Sequence, residues 1–259
     1  MKNQNLLDQF FLKDDFIVDQ LISSARITKK DKVLEIGSGR GIITEKLVKK
    51  AGLVIAVEID KSFAEDLKKI KGNLRLIFAN GLDIFDDSLK YPYKFNKIVA
   101  SLPSSIVEPL VLRLLRYKFE AASVLVPLKF VEKLQTDDLF TAYLDTVLVL
   151  KVAKTSFFPQ PKTSWALVKI TPKRNSLAEG DLKGYFKKYL FDHPDAKLKN
   201  SAMEAIIKIF KSQGKNITKN QARELISKLE LPPETLENNF NKFGKNELRT
   251  IILKMISVF

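Results

Sequence analysis

The stretch Val33-Leu34-Glu35-Ile36-Gly37-Ser38-Gly39-Arg40-Gly41 constrains this chain more than any other. An apolar run breaks into three glycines at alternate positions, and a helical pattern resumes from Ile42 to Lys50. A second apolar run, Val54 to Val57, ends on Glu58-Ile59-Asp60. Strand, glycine loop, helix, strand and acid is the order in which open parallel sheets grip nucleotide-like ligands at the carboxyl ends of their strands. Gly37, Gly39 and Gly41 let the backbone approach such a ligand at angles that a side chain forbids. Glu58 stands where an acid accepts hydrogen bonds from ribose hydroxyls. The spacing is Gly-x-Gly-x-Gly, shorter than the Gly-x-Gly-x-x-Gly that seats a pyrophosphate on a helix N-terminus. The loop has no Lys followed by Ser or Thr, so a P-loop is excluded. The shorter form fits S-adenosylmethionine (SAM), which has an amino-acid end and no phosphate. The competing reading is a tight strand-to-helix turn that binds nothing. The charged Glu58 at the end of an apolar strand argues for the ligand.

The rest of the chain supplies the setting. Helix-like and strand-like patterns alternate from about Phe16 to Thr171. Helices are predicted over Phe16 to Ala25, Ser62 to Ile70 and Glu108 to Arg116. Strands are predicted at Val33 to Ile36, Val54 to Val57, Leu74 to Phe78, Lys97 to Ala100, Ser123 to Val126, Tyr143 to Val152 and Ala166 to Ile170. Such alternation predicts an α/β fold, a doubly wound Rossmann-like domain with a mainly parallel sheet. Thr171-Pro172-Lys173-Arg174-Asn175-Ser176 is a polar, basic break. After it the pattern is helical throughout: Leu182 to Phe191, Leu198 to Ser212, Lys219 to Leu229, Pro233 to Lys242 and Lys245 to Val258. Thr218, three residues before Gln221, is a helix-start signal. The expected organisation is therefore a SAM methyltransferase-like domain over 1–174 and a small all-helical domain over 175–259.

Charge and composition narrow the partners. The 259 residues carry 44 Lys and Arg against 30 Asp and Glu, a formal net charge of +14. Such an excess favours a polyanion such as nucleic acid, through long-range attraction and counterion release. A solvated lysine-rich surface is the plainer reading of the same numbers. The absence of cysteine removes disulfides, thiolate catalysis and zinc-thiolate sites. A single histidine, His193, in the polar turn Phe191-Asp192-His193-Pro194-Asp195, leaves no imidazole cluster or Ser-His triad to build, and no metal site is expected. Asp83, Asp86 and Asp87 read as a solvated loop. Met1 to Leu12 lacks the apolar core of a signal peptide, and no run approaches the length of a membrane span. The expectation is a soluble cytoplasmic protein with no membrane partner.

Several motifs together resemble one family, the rRNA adenine dimethyltransferases, and most nearly its archaeal members. Gln9-Phe10-Phe11-Leu12-Lys13-Asp14 resembles the family's N-terminal Gln-Asn/His-Phe-Leu-x-Asp element. Val33 to Gly41 and Val57-Glu58-Ile59-Asp60 follow, and Phe157-Phe158-Pro159-Gln160-Pro161-Lys162 is similar to the family's Phe-x-Pro-x-Pro-Lys. Lys197-Leu198-Lys199-Asn200 is similar to a basic element of its helical domain. The resemblance implies transfer of two methyls from SAM to the exocyclic amine of each of two adjacent adenines near the 3′ end of small-subunit rRNA. It implies a cofactor site of Gln9, Leu12, Gly37, Gly39, Gly41, Glu58, Ile59, Asn80 and Ser101. It implies a catalytic set of Ser101, Leu102, Pro103, Ser104 and Phe157, with Phe157 stacking near the target base. The implied partner is small-subunit rRNA or a pre-ribosomal subunit, met by a monomer.

The chain departs from the family at the reacting centre. Ser101-Leu102-Pro103-Ser104 stands where the family has Asn-Leu-Pro-Tyr, so the first acceptor is shorter and the stacking ring is gone. Asn80 replaces the Asp that holds the adenine amine of SAM, and keeps one acceptor oxygen. Phe10 replaces Asn or His. Gln135-Thr136-Asp137-Asp138 replaces a longer loop carrying Tyr-Gly-Arg. Plainer roles compete for two of these sites: Ser104 or Ser105 capping the following helix, and Phe157 packing in the core beside Trp165. The alternative function is a catalytically impaired paralogue that binds rRNA or pre-ribosomal subunits as an assembly factor. A third class is a SAM enzyme with another substrate or a family-derived transcription cofactor acting on DNA, for which the chain carries no positive mark.

Overall fold

The computed structural model describes residues 10–85, 94–173, 177, 180–229 and 231–258. Gln9, Asp86, Asp87 and the basic run Arg174-Asn175-Ser176 lie outside them. The chain divides into two compact units, Met1–Gln135 with Leu144–Pro172, and Thr136–Tyr143 with Lys173–Phe259.

The first unit begins with a two-residue strand β1 (Phe11–Leu12) and helix α1 (Asp15–Ser24). The parallel core follows as β2 (Lys32–Ile36), α2 (Ile42–Lys50), β3 (Leu53–Glu58), a 3-10 turn (Lys61–Phe63) running into α3 (Ala64–Lys68), β4 (Leu74–Phe78) and β5 (Lys97–Ser101). Next come α4 (Ser104–Leu114), β6 (Ala121–Pro127) and α5 (Leu128–Thr136). After the excursion of α6 (Asp138–Tyr143) into the second unit, β7 (Leu144–Val152), the short β8 (Phe157–Phe158) and β9 (Trp165–Pro172) complete it. Among the described residues seven strands form one sheet in the order β4-β3-β2-β5-β6-β9-β7. β4 to β6 run parallel, and β9 and β7 add antiparallel. The order reverses between β2 and β5, and there open α/β sheets keep their ligand crevice.

The central strands β2, β3, β5 and β6 are apolar almost throughout because both their faces are buried. Alternation still assigns faces: Val33 and Glu35 of β2 share one face with Val54, Ala56 and Glu58 of β3. Val18, Leu21 and Ile22 of α1 and Ile43 and Leu47 of α2 join Val33, Val54 and Ala56 in one buried cluster. Asp14 caps α1, its carboxylate accepting from the Phe16 N–H at 3.1 Å, while its other oxygen accepts from the Ser156 hydroxyl at 2.8 Å. One side chain thus ties the start of α1 to the chain entering β8.

Two helices of this region, α5 and α6, were not expected from the pattern. α4 begins at Ser104, four residues before its expected start at Glu108, with Pro109 accommodated inside it. Its N-cap is Pro103 and no side chain bonds there, so Ser104 and Ser105 do not cap it.

The second unit contains α6, α7 (Leu182–Asp192), α8 (Leu198–Ser212), α9 (Lys219–Ser227), α10 (Pro233–Glu237) and α11 (Lys245–Met255), the last two each followed by a 3-10 turn. Thr218 and Gln221 form the expected capping box at the start of α9. α8 is the spine: Leu198, Ala202, Ala205, Ile206 and Ile209 meet Phe186 and Leu190 of α7, Ala222 and Ile226 of α9, and Ile251 and Ile252 of α11. The Lys187–Asp138 pair, at 2.6 Å, fixes α6 to α7. Among the described residues no helix is long and apolar enough to cross a membrane.

Candidate cofactor and target site

All three glycines of the 37–41 loop have positive φ, at 78°, 52° and 89°. This backbone region is strained for any residue with a Cβ. Space is tight at two of the three as well. A Cβ on Gly41 would lie 2.5 Å from Ile70 Cδ1, and one on Gly37 would lie 3.0 Å from Leu102 Cδ2 and 3.3 Å from the Ser101 carbonyl oxygen. The start of the loop therefore lies close to the end of β5 and the residue after it. That nearness brings Gly37 together with Ser101 and Leu102, two groups of candidates 64 residues apart in sequence.

Glu58 ends β3 with its carboxylate turned onto backbone. Oε2 accepts from the Gly39 N–H at 2.7 Å, and Oε1 accepts from the Ile59 and Asp60 N–H groups, both at 2.9 Å. A carboxylate offers about four acceptor positions, so one on Oε2 remains for a ribose hydroxyl. The acid thus holds the loop in shape. Ile59, next in the chain, is 58% exposed, an apolar surface suited to the flat face of an adenine. Asn80 is exposed after β4; its Oδ1 accepts from the Leu82 N–H at 3.0 Å, turning the chain into the 3-10 turn Gly81–Phe85. Oδ1 keeps a second lone pair, one neutral acceptor where a carboxylate would offer a charged one, and the amide nitrogen adds two donors. Glycine loop, acid, apolar surface and side-chain amide are groups that fit SAM.

Of the four motif residues, Ser101 ends β5 and is half-buried, Leu102 is buried beneath Gly37, Pro103 is half-buried, and Ser104 is exposed as the first residue of α4. Ser101 offers a hydroxyl and a main-chain carbonyl beside the loop. Nothing aromatic stands at Ser104.

The paired strands β1 and β8 overturn one expectation. They run antiparallel with Leu12 opposite Phe157 and Phe11 opposite Phe158. Directly opposed residues share a face and successive residues alternate. Leu12 and Phe157 point into the core, where Phe157 is 1% exposed and lies 5.5 Å from the Trp165 ring. A ring so enclosed cannot stack on a base, so the packing reading of Phe157 holds and the stacking reading does not. Leu12 is core too, so only its backbone remains for a cofactor. Phe10, the departure from Asn or His, packs edge-on against Trp165 at 6.3 Å. Gln9 lies outside the described residues.

Glu35 was missed, although its signal was present: a charged residue in the middle of an apolar strand. It is 1% exposed, accepts from the Thr44 hydroxyl on Oε2 at 2.6 Å, and has no partner on Oε1. Burial pushes its carboxyl up to about 8, and the nearby Glu58 adds to the rise. Glu35 is therefore protonated at neutral pH.

The second unit carries a groove of about 560 Å³ lined by Lys197, Lys199 and Arg223 together with the apolar Met203 and Ile226. Glu237 pairs with Lys199 and, at 3.0 Å, with Lys197; these two ammonium groups hold its carboxyl below the usual range.

A parallel sheet with a glycine loop, an acid and a polar motif at the carboxyl ends of the neighbouring strands β2, β3 and β5 is the fold of the Rossmann-like SAM methyltransferases. Two solved structures share the fold. One is a dimethyladenosine transferase from Plasmodium falciparum, with a TM-score of 0.61 and 23% identity over 95% of this chain and 96% of that one. The other is the 23S rRNA methyltransferase ErmE, with a TM-score of 0.58 and 18% identity over 95% and 99%. The chain belongs to the ribosomal RNA adenine dimethylase family, whose profile matches residues 1–191. Relatives named as probable ribosomal RNA small subunit methyltransferase A come from Methanococcus aeolicus, 32% identical over 100% of this chain and 95% of the relative, and from Pyrococcus abyssi, 32% identical over 72% and 71%.

Proposed function

We propose that the first unit binds SAM across residues 37–41, with Glu58, Ile59 and Asn80 on the nucleoside and the Ser101 region beside the methyl. The acceptor is the exocyclic amine of two adjacent adenines near the 3′ end of small-subunit rRNA, and the protein works as a cytoplasmic monomer. Bound SAM supplies an electrophilic methyl on a sulfonium. The chain's own groups position the amine, whose lone pair is delocalised into the adenine ring. Ser101 supplies two acceptors, hydroxyl and main-chain carbonyl, for the amine hydrogens; holding them there favours a nucleophilic geometry. The shorter reach of Ser demands a closer approach of the base than Asn would. The observation that supports this reading is the nearness of Gly37 and Ser101: a Cβ on Gly37 would lie 3.3 Å from the Ser101 carbonyl oxygen.

The helical unit binds the rRNA in this reading. The groove of Lys197, Lys199 and Arg223 supports it, with cations for phosphate among apolar side chains. Glu237 must give up its two lysines when phosphate enters.

The test is incubation with methyl-labelled SAM and unmethylated small-subunit rRNA or immature subunits. Dimethyladenine is expected from the native chain and background from Glu58→Ala. Incorporation by the native chain no higher than by that variant refutes the proposal.

A further inference from the structure

We infer that Phe158 supplies the aromatic face on which the target adenine stacks, in place of the ring absent at Ser104. The inference rests on the methyltransferase reading above. Phe158 is 69% exposed, an unusual state for phenylalanine and one with no packing benefit. Its position is nonetheless held firmly. It pairs in register with Phe11, the Lys13 N–H donates to the Ser156 carbonyl at 2.9 Å, and the Ser156 hydroxyl donates to Asp14.

The face on which Phe158 lies is settled by Phe11. Opposed residues of an antiparallel pair share a face. The Phe11 ring packs edge-on against Phe63 at 5.6 Å, and its Cδ1 and Cε1 would lie 3.4 Å from a Cβ on Gly39. The face that carries Phe11 is thus the face that meets the cofactor loop, and Phe158 stands on it beside Phe11. Phe157, one residue earlier, is turned to the opposite face and sealed in the core. Parity along a two-residue strand therefore gives the exposed ring to Phe158 alone.

A flat, exposed aromatic next to the cofactor loop matches the chemistry of an unstacked purine, and such stacking tolerates any aromatic partner. This also accounts for how a chain with Ser at position 104 can hold a base: the platform comes from the β1–β8 ribbon instead of the N-terminus of α4.

The experiment compares Phe158→Ala, Phe158→Leu, Phe158→Tyr and the double change Phe158→Ala with Ser104→Tyr. kcat/KM is measured on small-subunit rRNA, and affinity is measured for a single-stranded RNA with two adjacent adenines against the same RNA abasic at both positions. Loss of the stack is expected to lower kcat/KM for Ala and Leu by roughly ten- to a hundredfold. The Tyr variant keeps activity, the Ser104→Tyr double variant recovers it, and the preference for adenine over abasic RNA disappears in Ala and Leu. Melting temperature and SAM affinity stay at native values because the ring is exposed. Val147→Ala, an exposed change on β7, serves as the unaffected control. Native kcat/KM in Phe158→Leu, or an undiminished adenine preference in Phe158→Ala, overturns the inference. A native chain that binds SAM and RNA without transferring methyl overturns the methyltransferase reading instead, and the abasic comparison still decides the role of Phe158.

Discussion

Replacing Glu35 with Gln removes a titration that the fold works against. In the folded chain the Glu35 carboxyl holds its proton up to about 8, whereas the same group in the unfolded chain ionises near 4.5. Between those values the unfolded state binds fewer protons than the folded state, so stability falls as pH rises. The full displacement corresponds to at most about 5 kcal/mol. Above about pH 8 both states are ionised and the loss levels off. The carbonyl of the substituted side chain would accept from the Thr44 hydroxyl as Glu35 does, but its amide would be buried where Oε1 now lacks a partner. That costs about 1–3 kcal/mol at pH 5. The two stability curves should therefore cross: Glu35→Gln is the less stable protein at pH 5 and the more stable one at pH 9. Urea denaturation of both proteins at intervals from pH 5 to 9 measures the difference directly, and other carboxylates cancel in the subtraction. Parallel curves across that range would refute the assignment of a buried, protonated acid on β2.

Gly41→Ala forces a Cβ onto a backbone with φ of 89° and against Ile70. A loss of about 1–3 kcal/mol in thermal unfolding is expected, with weaker SAM binding by calorimetry. Asn80→Asp keeps the acceptor for the Leu82 N–H and adds a charged oxygen for an adenine amine. SAM affinity should rise about fivefold, and an unchanged affinity would show that Asn80 does not face the base. Lys199→Ala with Arg223→Ala should weaken RNA binding and lower the slope of log affinity against log salt by about one per cation removed. SAM affinity should not change.

The parts of this molecule that the sequence announces are those whose pattern is local. β2 to β5 appear as short apolar runs, and the capping box of Thr218 and Gln221 is visible in four letters. The glycines at 37, 39 and 41 declare a positive-φ loop because few other residues adopt it. α5 carries Val131 and Leu134 on one buried face, but the run is too short for its period to stand out. What the letters do not carry is partnership between distant segments. Glu58 reads as a ligand acid, and only the fold shows that it also accepts three backbone N–H groups.

Phe157 and Phe158 make the point most sharply. They are identical and adjacent, so composition, hydropathy and motif spacing treat them alike. Their fates are decided by pairing with Phe11 and Leu12, more than 140 residues away in sequence. A shift of one residue in that register would expose Phe157 and bury Phe158. The register is held from outside the strands, by Asp14 bonding both the first turn of α1 and the Ser156 hydroxyl. The Asp that closes the Gln-x-Phe-Leu-x-Asp element thereby acquires a physical role, because it fixes which phenylalanine faces the cofactor loop. Removing it, as in Asp14→Ala, should disturb target binding at a distance from any group that touches the base.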